Sequence, residues 1–182
     1  MVFALAGRRI DDPSAAPPRF PLANLDAVRR RLRATLGERG ATAVVASAAN
    51  GADLLALEEA GALGLRRRII LPFEREHFRR TSVVDRPGDW GAVFDRVVDE
   101  VAERGDVITI ASDAGDDEAA YLAASELILR EAVRLAAEQH EPASAIVVWE
   151  GRSRGAGDLT DAFRVDATAR GLAVVEVPTL TD

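Results

Sequence analysis

The segment Ser47-Ala-Ala-Asn-Gly-Ala-Asp53 decides the fold of this chain, together with a second segment, Gly151-Arg-Ser-Arg-Gly-Ala-Gly157. Each segment follows a short apolar run rich in β-branched residues, and each opens a helical pattern. A helix N-terminus after a glycine turn presents free backbone N–H groups and a positive dipole end, which attract phosphate or carboxylate. Two such junctions in an alternating strand–helix chain predict a ligand that carries phosphate, such as a nucleotide or a nucleotide-derived small molecule.

Composition and charge exclude several classes of protein. The 182 residues suffice for one domain with a full core. A formal net charge of -7 argues against a nucleic-acid partner, since binding to a phosphate backbone needs a cationic face. The chain has no cysteine, which excludes disulfides and thiolate metal sites. No apolar run reaches the ~18 residues that span a bilayer, and no signal peptide is recognisable, so we expect a cytoplasmic protein without a membrane partner.

Strand and helix patterns alternate along the whole sequence. Strands are predicted at residues 2–6, 43–47, 68–72, 107–111, 145–149 and 173–177, and helices at 25–39, 52–63, 90–104, 118–138 and 158–170. The strands are apolar on both faces, as strands covered on both sides should be. With right-handed crossovers, this order predicts one α/β domain over residues 1–182, with a doubly wound, mainly parallel six-stranded Rossmann-like sheet and helices on both faces.

Two connections are longer than this scheme needs. Residues 11–21 contain four prolines and are predicted to form an extended loop, and residues 73–89 mix arginines with apolar side chains. Both leave the carboxyl ends of strands, which is the edge where doubly wound sheets bind ligands. Long connections in compact domains are often lids or binding segments.

The first two strand ends carry candidate binding residues. Gly7 permits a tight turn, and the guanidiniums of Arg8 and Arg9 could clamp a phosphate, although a solvated basic turn is the alternative. Ser47 ends the second strand, where Asn50 and Gly51 form a turn dipeptide with Asn50 as a plausible N-cap. Asp53, three residues beyond Asn50, either completes a capping box, orients the loop or accepts a hydrogen bond from a ribose hydroxyl.

The third junction combines glycines with positive charge. It contains two glycines that allow close approach to an anion and two arginines, namely Gly155, Gly157, Arg152 and Arg154. Asp158 and Asp161 follow and begin a helix, where carboxylates are usually partners of the helix dipole. A glycine pair between a strand and a helix is typical of a phosphate site. We therefore expect a pocket that is locally positive on an acidic protein.

These motifs resemble the SLOG superfamily, Rossmann-like domains related to the LOG phosphoribohydrolases (also called lysine decarboxylase-like) and to DNA-processing protein A. The resemblance rests on Gly7-Arg8-Arg9, residues 49–56, Leu71-Pro72 and the segment from Gly155 to Asp161. It implies a nucleotide site to which these segments, including Pro72 and Asp158, contribute. In the hydrolase branch a threonine and a glutamate stand where this chain has Asp158 and Asp161. The proline and paired glycines of that branch are replaced by residues 152–154.

We therefore expect a domain that binds or senses a nucleotide, with no cofactor. The alternative is a nucleoside monophosphate phosphoribohydrolase, in which Asp161 stabilises an oxocarbenium-like transition state and Arg79 or Arg80 holds the phosphate. Shortening glutamate to Asp161 withdraws the carboxylate by about 1 Å, which can cost ~10²-fold in rate. A third hypothesis is an assembly module whose pocket is degenerate.

Two weaker patterns concern metals and oligomers. An acidic run could gather a divalent cation, although it is more typical of a solvated loop before a helix, and we expect no metal site there. Its members are Asp113, Asp116, Asp117 and Glu118. The helix predicted at residues 118–138 is apolar over more than one narrow stripe, which predicts a homodimer. The apolar residues concerned are Leu122, Leu127, Leu129, Val133 and Leu135.

Overall fold

Six parallel strands form the sheet in the computed structural model, which describes residues 1–110 and 117–180. In that part of the chain the strands are β1 (Val2–Gly7), β2 (Ala43–Ala46), β3 (Arg66–Leu71), β4 (Val107–Thr109), β5 (Ala143–Trp149) and β6 (Ala173–Pro178). They lie in the order β4-β3-β2-β1-β5-β6, and every neighbouring pair is parallel. The chain reverses its direction across the sheet between β1 and β5. Parallel sheets open a ligand crevice at such a point.

Helices cover both faces of the sheet. They are α1 (Leu25–Glu38), α2 (Ala52–Ala62), α3 (Arg75–Phe78), α4 (Trp90–Ala102), α5 (Asp117–Gln139) and α6 (Leu159–Ala169). Side chains of α1, α2 and α4 pack with Phe3 and Leu5 of β1, whereas α5 and α6 pack with Val2 and Ala4. Strand side chains alternate between faces, so two covered faces require apolar residues at successive positions. None of the helices in residues 1–110 and 117–180 has the length and apolarity needed to cross a membrane.

The predicted doubly wound fold is confirmed, and most element ends agree within two residues. β3 begins at Arg66 rather than at residue 68, because ion pairs neutralise the arginines of this strand. Arg68 Nη2 lies 2.6 Å from Asp106 Oδ1, and Arg67 pairs with Glu100. Ala111, the predicted end of the fourth strand, lies outside the described residues.

The two long connections differ from each other in structure. Residues 11–21 lack helix and strand, in agreement with the predicted loop. Residues 73–89 contain helix α3 and a π-helical turn, Arg79–Val83, which sequence patterns did not predict. Phe78 anchors this segment because it is buried, with its ring centroid 6.1 Å from that of Phe94 in α4.

Candidate functional site

A cavity of about 390 Å³ lies at the carboxyl ends of β1 and β2. Its lining includes Gly7 at the end of β1, Arg9 after β1, Ser47 after β2, and Tyr121 of α5 with Thr160 of α6. This is the edge at which open parallel sheets bind ligands, and small-molecule sites have volumes of roughly 300–1,000 Å³. We call it the main cavity.

Positive charge exceeds negative charge in the lining of the main cavity. Five arginines and three aspartates contribute, namely Arg8, Arg9, Arg19, Arg86 and Arg154 with Asp11, Asp12 and Asp53. This excess occurs in a chain whose formal net charge is -7. The lining carries both signs of charge with arginine in excess, and such an excess favours an anionic ligand.

Arg8 is bound to the protein's own carboxylates. Its guanidinium is buried, with Nη1 donating to Asp158 Oδ1 at 2.6 Å and Nε donating to Glu150 Oε2 at 2.6 Å. Nη2 donates to the carbonyl oxygen of Arg152 at 3.0 Å. Two carboxylates thus neutralise the charge of Arg8, and this role differs from the predicted phosphate clamp.

Asp158 is the N-cap of α6 and occupies the place at which an anion was predicted. It accepts hydrogen bonds from the backbone N–H groups of Arg154 at 2.8 Å, Thr160 at 3.1 Å and Asp161 at 3.3 Å. Burial opposes the ionised form, but the hydrogen bonds from Arg8 and these N–H groups outweigh it and hold the pKa of Asp158 well below its usual range. The protein's own carboxylate therefore caps this helix dipole.

The glycines of the third junction face a different opening. Gly155 and Gly157 line a second cavity of about 330 Å³, together with Leu122, Asp161 and Val165. Both glycines have a positive φ, of 88° and 79°, and an added Cβ would meet no atom within 4 Å. The positive φ angles therefore account for glycine at these two positions without any contact to a ligand.

The two arginines of this junction, Arg152 and Arg154, lie in different surroundings. Arg154 lines the main cavity, at an ion-pair distance of 3.7 Å from Asp158. The side chain of Arg152 is exposed, and its contribution is the carbonyl oxygen that accepts from Arg8. Pro72 is buried after β3 and does not line the main cavity.

The Asn50 side chain connects the segment after β2 to two other chain segments through hydrogen bonds. Its Oδ1 accepts from Ile10 N at 3.1 Å, and its Nδ2 donates to the carbonyl oxygens of Ser82 at 3.0 Å and Val83 at 3.2 Å. The prediction that Asn50 caps α2 is wrong, because Gly51 is the N-cap residue. The side chain instead fixes the loop after β1 against the π-helical turn.

Two glycines are required by close approach of the backbone. A Cβ on Gly7 would lie 2.5 Å from Ala52 Cβ and 2.7 Å from the carbonyl oxygen of Val148. A Cβ on Gly51, whose φ is 86°, would lie 2.8 Å from the carbonyl oxygen of Arg8. Both residues therefore let the first two junctions meet, and they shape the cavity through packing.

Three residues of the main cavity carry polar atoms that are buried yet unpartnered. Ser47 Oγ, Arg9 Nε and Arg86 Nε have no hydrogen-bond partner within the described part of the chain, and Arg86 Nε lies at an ion-pair distance of 3.6 Å from Asp85 Oδ2. A buried polar group without a partner costs about 1–3 kcal/mol. Arg86 was not among the sequence-predicted site residues. The one available signal was its position in a long arginine-containing connection.

Asp53 contributes a buried carboxyl group to the same cavity. Burial raises the pKa of Asp53 to about 7, and it outweighs the hydrogen bond from Ala49 N and the positive charge of Arg9. The Ala49 N–H donates to Asp53 Oδ2 at 3.2 Å. The carboxyl therefore changes its charge near neutral pH while it faces the cavity.

The three residues of the hydrolase hypothesis do not come together. Asp161 lines the second cavity and pairs with Arg164 at 2.8 Å. Arg79 pairs with Asp95 of α4 at 3.0 Å, and Arg80 is exposed. Neither Arg79 nor Arg80 lines the main cavity or the second cavity.

The acidic run after β4 yields no metal site among the described residues. Asp113 and Asp116 lie outside them, whereas Asp117 and Glu118 begin α5. Residues 1–110 and 117–180 contain no group of three or more His, Asp or Glu side chains placed to hold a metal ion.

No protein-family model matches the chain, and none of the curated proteins compared with it shows significant similarity. The chemistry of the main cavity is therefore the basis for assigning a function.

Proposed function

We propose that this protein binds a nucleotide or a nucleotide-derived small molecule in the main cavity and acts as a ligand-sensing domain. The observation that carries the proposal is the set of buried, unpartnered polar atoms on Arg9, Arg86 and Ser47 around one cavity at the strand ends. Guanidinium N–H groups suit phosphate oxygens in both geometry and charge. A ligand phosphate would supply the hydrogen bonds that the two Nε atoms lack.

The remaining arginine pairs are loose enough to be exchanged for a phosphate. Arg86 lies 3.4 Å from Asp12, and Arg19 lies 3.5 Å from Glu150, with about a third of each arginine side chain exposed. Arg9 pairs with Asp85 through Nη2, which leaves Nε free. The Arg86–Asp12 and Arg9–Asp85 pairs are partly exposed, and because such pairs contribute only about 0–1 kcal/mol, replacing them with a phosphate costs little. Glu150, the partner of Arg19, is buried and remains paired with Arg8.

The part of the main cavity formed by α5 suits a planar group. Tyr121 contacts Phe73 edge to face at 5.3 Å between ring centroids, and its hydroxyl lies 2.6 Å from Ser82 Oγ. Ala124 and Ile128 of α5 continue this wall with apolar surface. A few polar groups beside an apolar wall are typical of small-molecule sites, and a nucleobase fits such a wall.

The SLOG resemblance supports the same location, since its motifs at Gly7 and at residues 49–56 follow β1 and β2. The phosphoribohydrolase alternative has less support, because Asp161 and Arg79 lie outside the main cavity. A cytoplasmic location remains part of the proposal, and fractionation of expressing cells tests it.

We further propose a homodimer that buries the outer face of α5 and α6. Leu122 and Val133 of α5 are 46% and 43% exposed, and Val165 of α6 is 53% exposed. Leu122 and Val133 belong to the apolar residues on which the predicted homodimer rests, while Leu129 and Leu135 of that set are buried in the core. Light scattering at tens of micromolar should give twice the chain mass. A value near 19.5 kDa would exclude the dimer.

Titration calorimetry with adenosine 5′-monophosphate, ADP and ADP-ribose tests the proposed function, preceded by a thermal-shift screen with the same compounds. Binding to the native state alone raises the melting temperature by mass action. Arg9→Ala and Arg86→Ala should each weaken a phosphorylated ligand by about 1.5–3 kcal/mol and leave the corresponding nucleoside almost unaffected. Arg104→Ala, an exposed arginine at the opposite edge of the sheet, is the matched control. Equal losses for nucleotide and nucleoside would assign these arginines to packing.

A further inference from the structure

Asp53 is more deeply buried than the phosphate-facing arginines of the main cavity, and the half-buried Ser47 carries a hydroxyl oxygen without a partner among the described residues. Ser47 Oγ is buried without a partner, and the Asp53 residue is 8% exposed. The side chains of Arg9 and Arg86 are 32% and 29% exposed. The cavity therefore has an outer part with partly exposed arginines and an inner part that contains the buried carboxyl group of Asp53.

We propose that Ser47 and Asp53 recognise hydroxyl groups of the ligand, and that binding of such a ligand expels a proton from the cavity. This inference rests on the proposed function, because it requires the arginines to hold the phosphate of the same molecule. The ligand class is thereby narrowed to nucleotides and sugar phosphates with free sugar hydroxyls, bound with the sugar inward and the phosphate outward.

The hydrogen-bonding capacity of the two side chains supports this assignment. The Asp53 carboxylate has two oxygens and accepts one hydrogen bond, from Ala49 N to Oδ2. Ser47 Oγ can both donate and accept, and it does neither among the described residues. Sugar hydroxyls donate and accept in the same way. A site built to bond hydroxyls discriminates against a ligand that lacks them, because its buried groups then stay unpaired.

The proton release follows from the protonation of Asp53 before a ligand binds. Burial raises the pKa of Asp53 to about 7, so at pH 6 the free protein carries mostly the neutral carboxyl. Hydroxyl donors favour the carboxylate and lower its pKa in the complex. Binding therefore releases a proton below about pH 7, and the affinity rises with pH up to that point.

The main cavity contains other charged groups besides Asp53. They come from three connections around Asp53: Arg8, Arg9, Arg19, Asp11 and Asp12 after β1, Arg86 before α4, and Arg154 before α6. Arginine stays protonated in proteins, and hydrogen bonds from Ser14 lower the pKa of Asp12 below its usual value. The hydroxyl-bearing residues that α5 and α6 contribute to the cavity lining are Tyr121, Ser125 and Thr160.

Calorimetry with adenosine 5′-monophosphate and its 2′,3′-dideoxy analogue at pH 6 and pH 8 tests the inference. For the wild type, the Asp53 proton should make the monophosphate bind about tenfold more weakly at pH 6 than at pH 8. The second ionisation of the phosphate, with a pKa near 6, adds about a further twofold. Buffers of different ionisation enthalpy should report proton release on binding.

Variants of Asp53 and Ser47 distinguish the titration of the Asp53 carboxyl from the second ionisation of the ligand phosphate. Asp53→Asn should retain only the twofold effect of the phosphate, and Ser47→Ala should weaken the monophosphate at least several-fold more than the dideoxy analogue. Asp26→Asn, an exposed acid in the first turn of α1, is the matched control and should behave like the wild type.

The outcomes distinguish this inference from the proposed function. Failure of adenosine 5′-monophosphate, ADP and ADP-ribose to bind the wild type at pH 8 would overturn both. Binding that is equal for the monophosphate and its dideoxy analogue, with the same pH dependence in Asp53→Asn, would overturn the inference and leave the nucleotide site in place.

Discussion

Arg8 Nη1 lies 2.6 Å from Asp158 Oδ1, although 150 residues separate the two in sequence. The pair joins the end of β1 to the N-cap of α6 and thus spans the point at which the strand order reverses. Glu150 completes the cluster from the end of β5. The crevice expected to open at this point is therefore closed on one side by an ion-pair cluster, and the main cavity lies beside it.

Replacement of Arg8 by methionine should destabilise the protein by about 3–5 kcal/mol, because Asp158 and Glu150 would remain buried without their partner. Urea denaturation monitored by circular dichroism measures the free energy of unfolding. Arg152→Met, an exposed arginine nearby, should change it by less than about 0.5 kcal/mol. A stable Arg8→Met protein that has lost nucleotide affinity would instead make Arg8 a ligand residue.

Because the pKa of Asp158 is held below its usual range in the folded state, the free energy of unfolding should depend on pH in the acid range. A carboxyl with a lowered pKa in the folded state stabilises that state above the pKa of the unfolded chain, near 3.8, and this contribution is lost as the pH falls. Asp158→Asn should therefore be less stable than the wild type at pH 7. The gap should narrow when both are unfolded by urea at progressively lower pH below 4, and a constant gap would contradict this account.

Replacement of Gly7 by alanine should destabilise strongly, by at least about 2 kcal/mol, since the added Cβ would lie 2.5 Å from Ala52 Cβ and 2.7 Å from a carbonyl oxygen. Gly37→Ala is the matched control. Gly37 lies within α1, and a Cβ there would meet no atom within 4 Å. This control should stabilise by about 0.5–1 kcal/mol, as alanine does in helices. Similar melting temperatures for the two variants would refute the packing role of Gly7.

The fold could be predicted from sequence because its signals are local. Short apolar runs mark strands that are covered on both faces, and glycines such as Gly40 and Gly64 mark helix ends. The same alternation predicted the candidate residues Gly7, Arg9 and Ser47, because they lie at or shortly after the ends of β1 and β2. These residues line the main cavity because strand ends converge at one sheet edge.

The pairing of charged groups could not be predicted in the same way. Arg8 and Arg9 are adjacent and identical in type, yet tertiary packing buries one against Asp158 and leaves the Nε of the other unpartnered. Arg86 reaches the cavity because of the π-helical turn before it, a structure without a clear sequence signature. Gly155 and Gly157 line the second cavity, whereas Arg154 lines the main cavity. The sequence motif had grouped these three residues into one site.

The buried carboxyl of Asp53 should reduce stability at neutral and alkaline pH. Its pKa is raised in the folded state from 3.8 to about 7, so the folded state is favoured most at low pH and loses this advantage as the pH rises through 7. Asp53→Asn removes the ionisation and should stabilise the ligand-free protein at pH 8, by up to roughly 4 kcal/mol at ~1.4 kcal/mol for each pKa unit. Urea denaturation at pH 5 and pH 8 should show a smaller gain at pH 5. Destabilisation of equal size at both values would mean that Asp53 serves only as a structural acceptor for Ala49 N.

Substitution of Asp161 should distinguish ligand binding from turnover. Asp161 lines the second cavity, and hydrogen bonds from Ser153 and Arg164 lower its pKa. We therefore expect Asp161 to stabilise helix α6 and to have no role in ligand binding. Nucleoside monophosphates should therefore survive long incubation with the protein, as judged by chromatography of free base. Asp161→Asn should leave nucleotide affinity within about twofold of the wild type, since no contact in the main cavity changes. Base release that disappears in Asp161→Asn while binding persists would show a transition-state role for this carboxylate and make the phosphoribohydrolase the better description.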